Sequence, residues 1–244
     1  MVDWGLQDRV ALITGATGYL GRAMAKGFAE AGARLFLSGR NEETLATIAK
    51  ELGARAVVAD LVEEKAAVRV VNQVLEEAGR IDTLVINAGA LADGLVAGLT
   101  DEELARVYEV NLFSAFRMLR TALKPMILNR SGNIIAVSST AAQRPGVGQS
   151  AYASSKAALE SFVRITARET ASRGVRINAV APGLLEGGLS TRILDDHMDQ
   201  ARASIPMRRP GTAEEVVPIV LFLASQMSSY VTGQVWCVDG GFTA

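Results

Sequence analysis

Tyr152 stands four residues before Lys156 in the stretch AYASSKAALESFV. If the stretch is helical, the two side chains share one face. A phenol beside an ammonium is a proton-transfer pair. Unperturbed, a tyrosine titrates near 10 and a lysine near 10.4. An adjacent positive charge favours the phenolate, so the lysine is expected to bring the tyrosine down toward working pH. Ser138 and Ser139 close the preceding run GNIIAVSS. The Ser139 hydroxyl is suited to hydrogen-bond a carbonyl oxygen that takes a proton from Tyr152 as hydride reaches the carbon. With 4 Tyr and 5 Lys in 244 residues, chance supplies this spacing about 0.08 times. Tyrosine and lysine also sit on helices for packing and solubility. What decides between these readings is where the fold puts the pair.

Short, nearly all-apolar runs alternate with longer amphipathic ones. RVALIT starts at Arg9, ARLFLS at Ala33, ARAVVA at Ala54 and IDTLVIN at Ile81. GNIIAVSS starts at Gly132, GVRINAVA at Gly174 and GQVWCV at Gly233. Such runs are expected of strands buried on both faces. Helical patterns lie between them, and Gly32, Gly53, Gly79 and Gly174 are expected to stop helices. The alternation predicts an α/β doubly wound (Rossmann) fold, a mostly seven-stranded parallel sheet with helices on both faces. Ligands in such sheets sit at the carboxyl ends of the strands. Ser139, Tyr152 and Lys156 all fall at that edge.

The first strand runs into TGATGYLGRAMAKGF, with glycines at 15, 18 and 21. A glycine-rich turn into a helix lets backbone N–H groups approach a pyrophosphate, and the helix N-terminus adds its positive end. A plain tight turn would need glycine too. The second strand ends LSGRN, where NAD-binding sheets usually carry an acidic residue for the ribose. Arg40 stands there instead, and an arginine can pair with a 2′-phosphate. This favours NADP(H), with NAD(H) as the alternative and a solvated loop charge as the bland reading of Arg40. Asp60 ends the third strand, either to accept from an adenine amino group or to cap the next helix.

Composition excludes several classes. Lys plus Arg number 25 and Asp plus Glu 26, so the net charge of −1 offers no global attraction to nucleic acid or anionic lipid. One histidine, His197, and one cysteine, Cys237, cannot build a His/Cys zinc cluster, and no metal is expected. The N-terminus does not read as a signal peptide, and no run is long enough to span a membrane. A single domain over 1–244 in the cytoplasm is the expectation.

With these motifs in this order, the chain resembles the short-chain dehydrogenase/reductases, in their compact single-domain branch. The resemblance is carried by TGATGYLG, Asp60, NAG from Asn87, Asn111, Ser139, YASSK, NAVAPG and TGQVWCVDGG. It implies NAD(P)(H) binding and hydride transfer between nicotinamide and a carbonyl or alcohol. It implies that Asn111, Ser139, Tyr152 and Lys156 form the catalytic group, with Tyr152 the acid/base and Ser139 polarising the carbonyl. Lys156 would bind the nicotinamide ribose, and Asn111, inside the helix from Asp101, would hold a relay water. A buried amide satisfied by helix backbone is the other reading of Asn111. The resemblance places Gly15, Thr17, Gly18, Tyr19, Leu20 and Gly21 at the phosphates. Asp60 and Leu61 follow the third strand, and Asn87, Ala88 and Gly89 would flank the adenosine ribose. Pro182, Gly183 and Leu184 would lie under the nicotinamide.

Three positions depart from the family pattern. Gly15 and Gly18 are three apart, where the compact branch spaces its first two loop glycines four apart. Ile86 stands where a second asparagine often precedes NAG. Gly187 replaces a threonine that commonly contacts the nicotinamide amide, a contact left to Ser190 or Thr191. The unusual loop and Gly187 leave room for a dinucleotide-binding sensor or partner subunit without turnover. By resemblance, residues 184–210 form a substrate lid, carrying Leu185, Leu189, Ile193, Leu194 and Met198, with His197 as a solvated lid residue. Gln149 is a candidate substrate neighbour with Ser139, Leu185 and Leu189. The layout also resembles 3-oxoacyl-acyl-carrier-protein reductases, with Arg130 and Arg173 placed to meet an acidic carrier. Ketoses, polyols and diketones fit the same layout. The expected product is an alcohol from a 3-oxoacyl or other small carbonyl, with alcohol or polyol oxidation as the alternative. The family is commonly tetrameric through two long helices and the last strand, where Cys237 would be a buried packing residue.

Overall fold

The computed structural model describes residues 2–191, 199–200 and 202–244. Seven parallel strands form one sheet in the order β3-β2-β1-β4-β5-β6-β7. They are β1 (Val10–Thr14), β2 (Arg34–Gly39), β3 (Arg55–Val58), β4 (Thr83–Ile86), β5 (Gly132–Val137), β6 (Val175–Pro182) and β7 (Val235–Val238). Each falls within or against the apolar run expected of it.

The runs are apolar throughout because the sheet is covered twice. Along β1, Val10 and Leu12 face one core while Ala11 and Ile13 face the other. Ile134 and Ala136 of β5 take the first side, Ile135 and Val137 the second. This is the two-residue period of a strand. The first core is closed by α3 (Ala66–Ala78), α5 (Ser114–Leu128) and α6 (Ser150–Thr170). The second is closed by α1 (Tyr19–Glu30), α2 (Glu42–Glu51) and α7 (Ala213–Ala224). Burying one such Leu or Ile side chain stabilises by about 1.5–3 kcal/mol. Polar substitution at these positions would therefore cost the fold on either face.

Helix ends follow local chemistry. Gly79 closes α3 at φ 74°, in the left-handed region that suits glycine. Thr100 and Glu103 form a capping box at the start of α4 (Asp101–Tyr108). Between α4 and α5 the chain makes a π turn over Glu109–Phe113. Asn111 lies inside the helical run that starts at Asp101, in a turn widened by one residue.

Strand order reverses beside β1, where neighbouring connections leave to opposite sides. That opens a crevice at the carboxyl ends of β1 and β4. The segment between β6 and α7 leaves over the same edge. Its two roots are tied by Gly211 N–H to Leu184 O and Glu186 N–H to Gly211 O, both at 2.9 Å. Ile193, Leu194, His197 and Met198 lie outside the described residues.

Candidate active site

The crevice is a cleft of about 740 Å³, within the range of small-molecule and cofactor sites. Gly15, Thr17, Gly18, Tyr19, Leu20 and Gly21 line one end of it. Gly15 has φ +62°, and a Cβ there would lie 2.9 Å from the Ala88 backbone. A Cβ on Gly21 would lie 2.2 Å from Gly15 O. Both glycines are required for the loop to fold this tightly. Gly18 caps α1 without a side-chain hydrogen bond, and the first turn holds no acidic residue. The opening N–H groups are therefore free to meet an anion.

Asn87 braces this loop. Its Nδ2 donates to Thr14 O at 3.2 Å and Gly15 O at 3.1 Å. Thr14 Oγ1 accepts from Asn87 N at 3.0 Å and Ala88 N at 3.3 Å. Asn87, Ala88 and Gly89 line the cleft, as do Asp60 and Leu61. Asp60 accepts from Val62 N at 3.2 Å, closing a turn. α3 begins only at Ala66, so Asp60 does not cap that helix. Ile86 is 3% exposed and belongs to the first core, which accounts for an apolar residue at that position.

Ser38 and Arg40 reach the cleft from the end of β2. Ser38 Oγ is buried without a hydrogen-bond partner. The Arg40 guanidinium is exposed and pairs with no carboxylate among the described residues. An orphaned hydroxyl and, two residues on, an unpaired guanidinium, both on residues lining the cleft, fit a bound anion such as a ribose phosphate. With the glycine cradle, the residues present fit a phosphorylated dinucleotide.

At the other end, β5 delivers Ser139 and α6 delivers Tyr152 and Lys156, and all three line the cleft. Ser139 Oγ accepts from Ala141 N at 3.2 Å, which orients it. Lys156 is 3% exposed and donates to Val137 O at 2.8 Å. Its Nζ lies 5.8 Å from the centre of the Tyr152 ring. Glu160, one turn further, accepts from Ser138 Oγ at 2.9 Å and from Arg164 at 3.1 Å. Successive turns of α6 are thus fastened to the end of β5.

The electrostatics differ from the expectation. Burial raises the Tyr152 pKa above its usual value; a hydrogen bond with Ser139 works against this and the charge of Asp93 adds to it. Burial also brings Lys156 down to about 8. Desolvation, rather than an adjacent ammonium, dominates at the phenol because both groups sit in low-dielectric surroundings. Tyr152 is therefore protonated at neutral pH.

Asn111 is 1% exposed and does not line the cleft. Its Nδ2 donates to Ala90 O and Ser155 Oγ, both at 2.9 Å, and its Oδ1 accepts from Ala90 N at 2.8 Å. Both amide hydrogens are engaged by protein groups, so the side chain keeps no donor for a relay water. It ties the loop after β4 to α6, one residue from Lys156.

Pro182, Gly183 and Leu184 line the cleft, followed by Leu185 and Leu189. Ser190 Oγ accepts from Leu185 N at 3.4 Å, and Thr191 Oγ1 donates to Gly188 O at 3.0 Å. Both hydroxyls are turned to their own segment. Gln149 lines the cleft, and its Oε1 accepts from Gly146 N at 2.9 Å. Sequence reasoning missed Arg106, Arg144 and Phe242, which also line it. Arg144 donates to Phe242 O and stacks over its ring, 4.5 Å from the centroid. No local motif marks this pair, because it joins a loop to the chain's last residues.

In the single chain Cys237 is exposed, on the edge strand β7. Arg130 and Arg173 flank the starts of β5 and β6, at the end of the sheet opposite the cleft.

The family model described as enoyl-(acyl carrier protein) reductase matches residues 15–243. The 3-oxoacyl-(acyl-carrier-protein) reductase FabG of Chlamydia muridarum is 35% identical over 242 residues, covering 97% of this chain and 98% of that protein. A crystal structure provisionally assigned as a gluconate dehydrogenase from Agrobacterium tumefaciens superposes with a TM-score of 0.96 at 31% identity, covering 100% and 99% of the two chains. Another, provisionally assigned as an NAD(P)-dependent gluconate 5-dehydrogenase from Beutenbergia cavernae and holding NADP at low occupancy, gives 0.93 at 36% identity and 99% of both chains. The chain belongs to the short-chain dehydrogenase/reductase family and is an NAD(P)(H)-dependent oxidoreductase acting on carbonyl and CH–OH groups.

Proposed function

We propose that this protein reduces a ketone, a 3-oxoacyl thioester or another small carbonyl, to an alcohol with NADPH. One observation carries the reading: Ser139, Tyr152 and Lys156 line the same cleft as the glycine loop, with Tyr152 hydrogen-bonded to Ser139. The bound dinucleotide supplies hydride. Tyr152 Oη gives its proton to the carbonyl oxygen as that oxygen gains charge. Ser139, oriented by Ala141, donates to the same oxygen and holds it in line. Lys156, with a pKa of about 8 under the Tyr152 ring, is the group that changes charge near working pH. Asn111 positions α6 and the loop after β4.

Ser38 and Arg40 support NADPH over NADH. Residues 184–210 serve as the substrate lid of a single domain. The exposed Phe113, Phe116 and Ile165, with Phe116 stacked on Phe162 at 4.7 Å, form an apolar face on the π turn, α5 and α6. That face and the β7 edge support assembly as a homotetramer, in the cytoplasm. An acyl carrier protein as partner rests on the relatives' names. Arg130 and Arg173 lie about 20 Å of strand away from Ser139, so a carrier seated on them does not sit at the same chain's cleft.

The test is NADPH and NADH oxidation by purified protein with an acetoacetyl thioester, an α-diketone, an aryl ketone and a ketose. Turnover with NADPH on any of these supports the reading, and the preferred one sorts the substrate class. Silence with all, in a protein that binds NADPH, would refute it. The second reading is an NAD(P)-dependent alcohol or polyol dehydrogenase, favoured by structural relatives assigned as gluconate dehydrogenases. It predicts NAD(P)⁺ reduction with a sugar acid or polyol instead.

A further inference from the structure

Two departures noted in the sequence meet in space. The residue four after Gly15 is Tyr19, and its ring stands against Gly187. A Cβ on Gly187 would lie 3.0, 3.1 and 3.1 Å from three ring carbons. Gly187 has φ −145° and ψ −175°, extended backbone that any residue adopts. The ring, not the backbone, is therefore what crowds a side chain at 187: the two would have to part by a few tenths of an ångström. Gly188 is different. Its φ of +73° requires glycine in its own right, and a Cβ there would lie 3.2 Å from Tyr19 Cβ.

Tyr19 touches three functional pieces at once. It opens α1 directly after the phosphate-binding loop. Its ring lies against the segment leaving β6. Its hydroxyl accepts from the N–H of Ala213, the first residue of α7, at 3.4 Å. Tyr19, Gly187 and Gly188 all line the cleft. Next to this contact, Leu184 and Glu186 pair with Gly211 across the two roots of the segment.

We propose that Tyr19 is a positioning residue that stands in for a side chain at 187, forming the wall between the dinucleotide and the lid root and coupling the two. The inference rests on the NADPH reading above. The three-apart glycine spacing and Gly187 are then one compensated change. A bulky ring enters at 19, and the facing position gives up its side chain. Because one ring braces both pieces, a disturbance at either is felt in dinucleotide affinity and in the carbonyl KM together.

The experiment is a double-mutant cycle on Gly187→Thr and Tyr19→Ala, read first as NADPH affinity by fluorescence titration without carbonyl substrate. Gly187→Thr alone should weaken binding about tenfold or more, because the new side chain crowds the ring and pushes it from its seat. In the Tyr19→Ala background the same change should cost no more than about threefold, a clear departure from additivity. Tyr19→Ala alone should raise both the NADPH dissociation constant and the carbonyl KM. Tyr19→Phe, which keeps the ring, should stay near wild type.

Equal loss from Gly187→Thr in both backgrounds would overturn the proposal. So would a Tyr19→Ala variant whose carbonyl KM is unchanged. Should Gly187→Thr unfold, Gly187→Ser tests the same contact with a smaller group, and the cycle is repeated in thermal midpoints of the protein without dinucleotide. A wild type that binds neither NADPH nor NADH would refute the functional reading itself. A wild type that binds and turns over while the cycle is additive refutes only the role of Tyr19.

Discussion

Replacing Lys156 by Met should change how stability depends on pH, by an amount set by burial. The Nζ is enclosed and donates to Val137 O at 2.8 Å, and its pKa falls from 10.5 to about 8. The unfolded chain titrates near the ordinary value, so this depression is worth about 3 kcal/mol. Between about pH 8 and 10.5 the unfolded state holds a proton that the folded state has lost. Wild-type stability therefore rises with pH across that window. Below about pH 8 the cost of the buried charge is fully present, and above 10.5 it is gone. Methionine has no proton to bind. Relative to Lys156→Met, the wild type should gain about 3 kcal/mol between pH 7 and 10.5. At pH 7 the variant escapes that cost but leaves Val137 O without its donor, a loss of about 1–3 kcal/mol. The two nearly cancel, so the variant should be folded and close to wild type in stability while losing turnover. The assay is urea unfolding of both proteins at stepped pH and fixed protein concentration, with m compared to confirm the same transition. Parallel stability curves from pH 7 to 10.5 would refute a buried lysine titrating near 8.

Tyr152→Phe should keep NADPH affinity and lose about 10²–10⁴ of turnover, the range for a general acid; undiminished turnover would remove Tyr152 from the chemistry. Arg40→Ala should weaken NADPH about 10- to 100-fold, as loss of a charge-assisted contact does. NADH binding should barely change, and equal loss for both cofactors would end the case for a 2′-phosphate contact. Glu160→Leu leaves the buried Ser138 hydroxyl without its partner and should cost about 1–3 kcal/mol in urea unfolding. Glu160→Gln, which keeps an acceptor, should recover most of that loss; if Gln is as damaging as Leu, the hydrogen bond is not what matters.

Much of the site was legible because the signals are local. Gly15, Gly18 and Gly21 lie at a strand–helix turn, and their spacing is read within one short stretch. Tyr152 and Lys156 share a helix face by their i, i+4 spacing alone. Arg40 ends a strand whose apolar run announces where it stops. The less legible residues depend on distant partners. Arg144 and Phe242 meet across a separation of 98 residues. Asn111 is read as helical and is so, but the partners of its amide, Ala90 and Ser155, are far off in the chain. Cys237 is exposed in the single chain, on a strand with a neighbour on one side only.

By itself the sequence determined the order of elements, the double covering of the sheet and the edge at which chemistry collects. Apolar runs, glycine stops and strand–helix alternation are set by each segment's own backbone and side chains. The tertiary structure alone decided the direction of the Tyr152 pKa, the partners of the Asn111 amide, and the seating of Tyr19 against Gly187. These depend on desolvation and on contacts between segments far apart in the chain, and neither quantity exists until the core has closed around them.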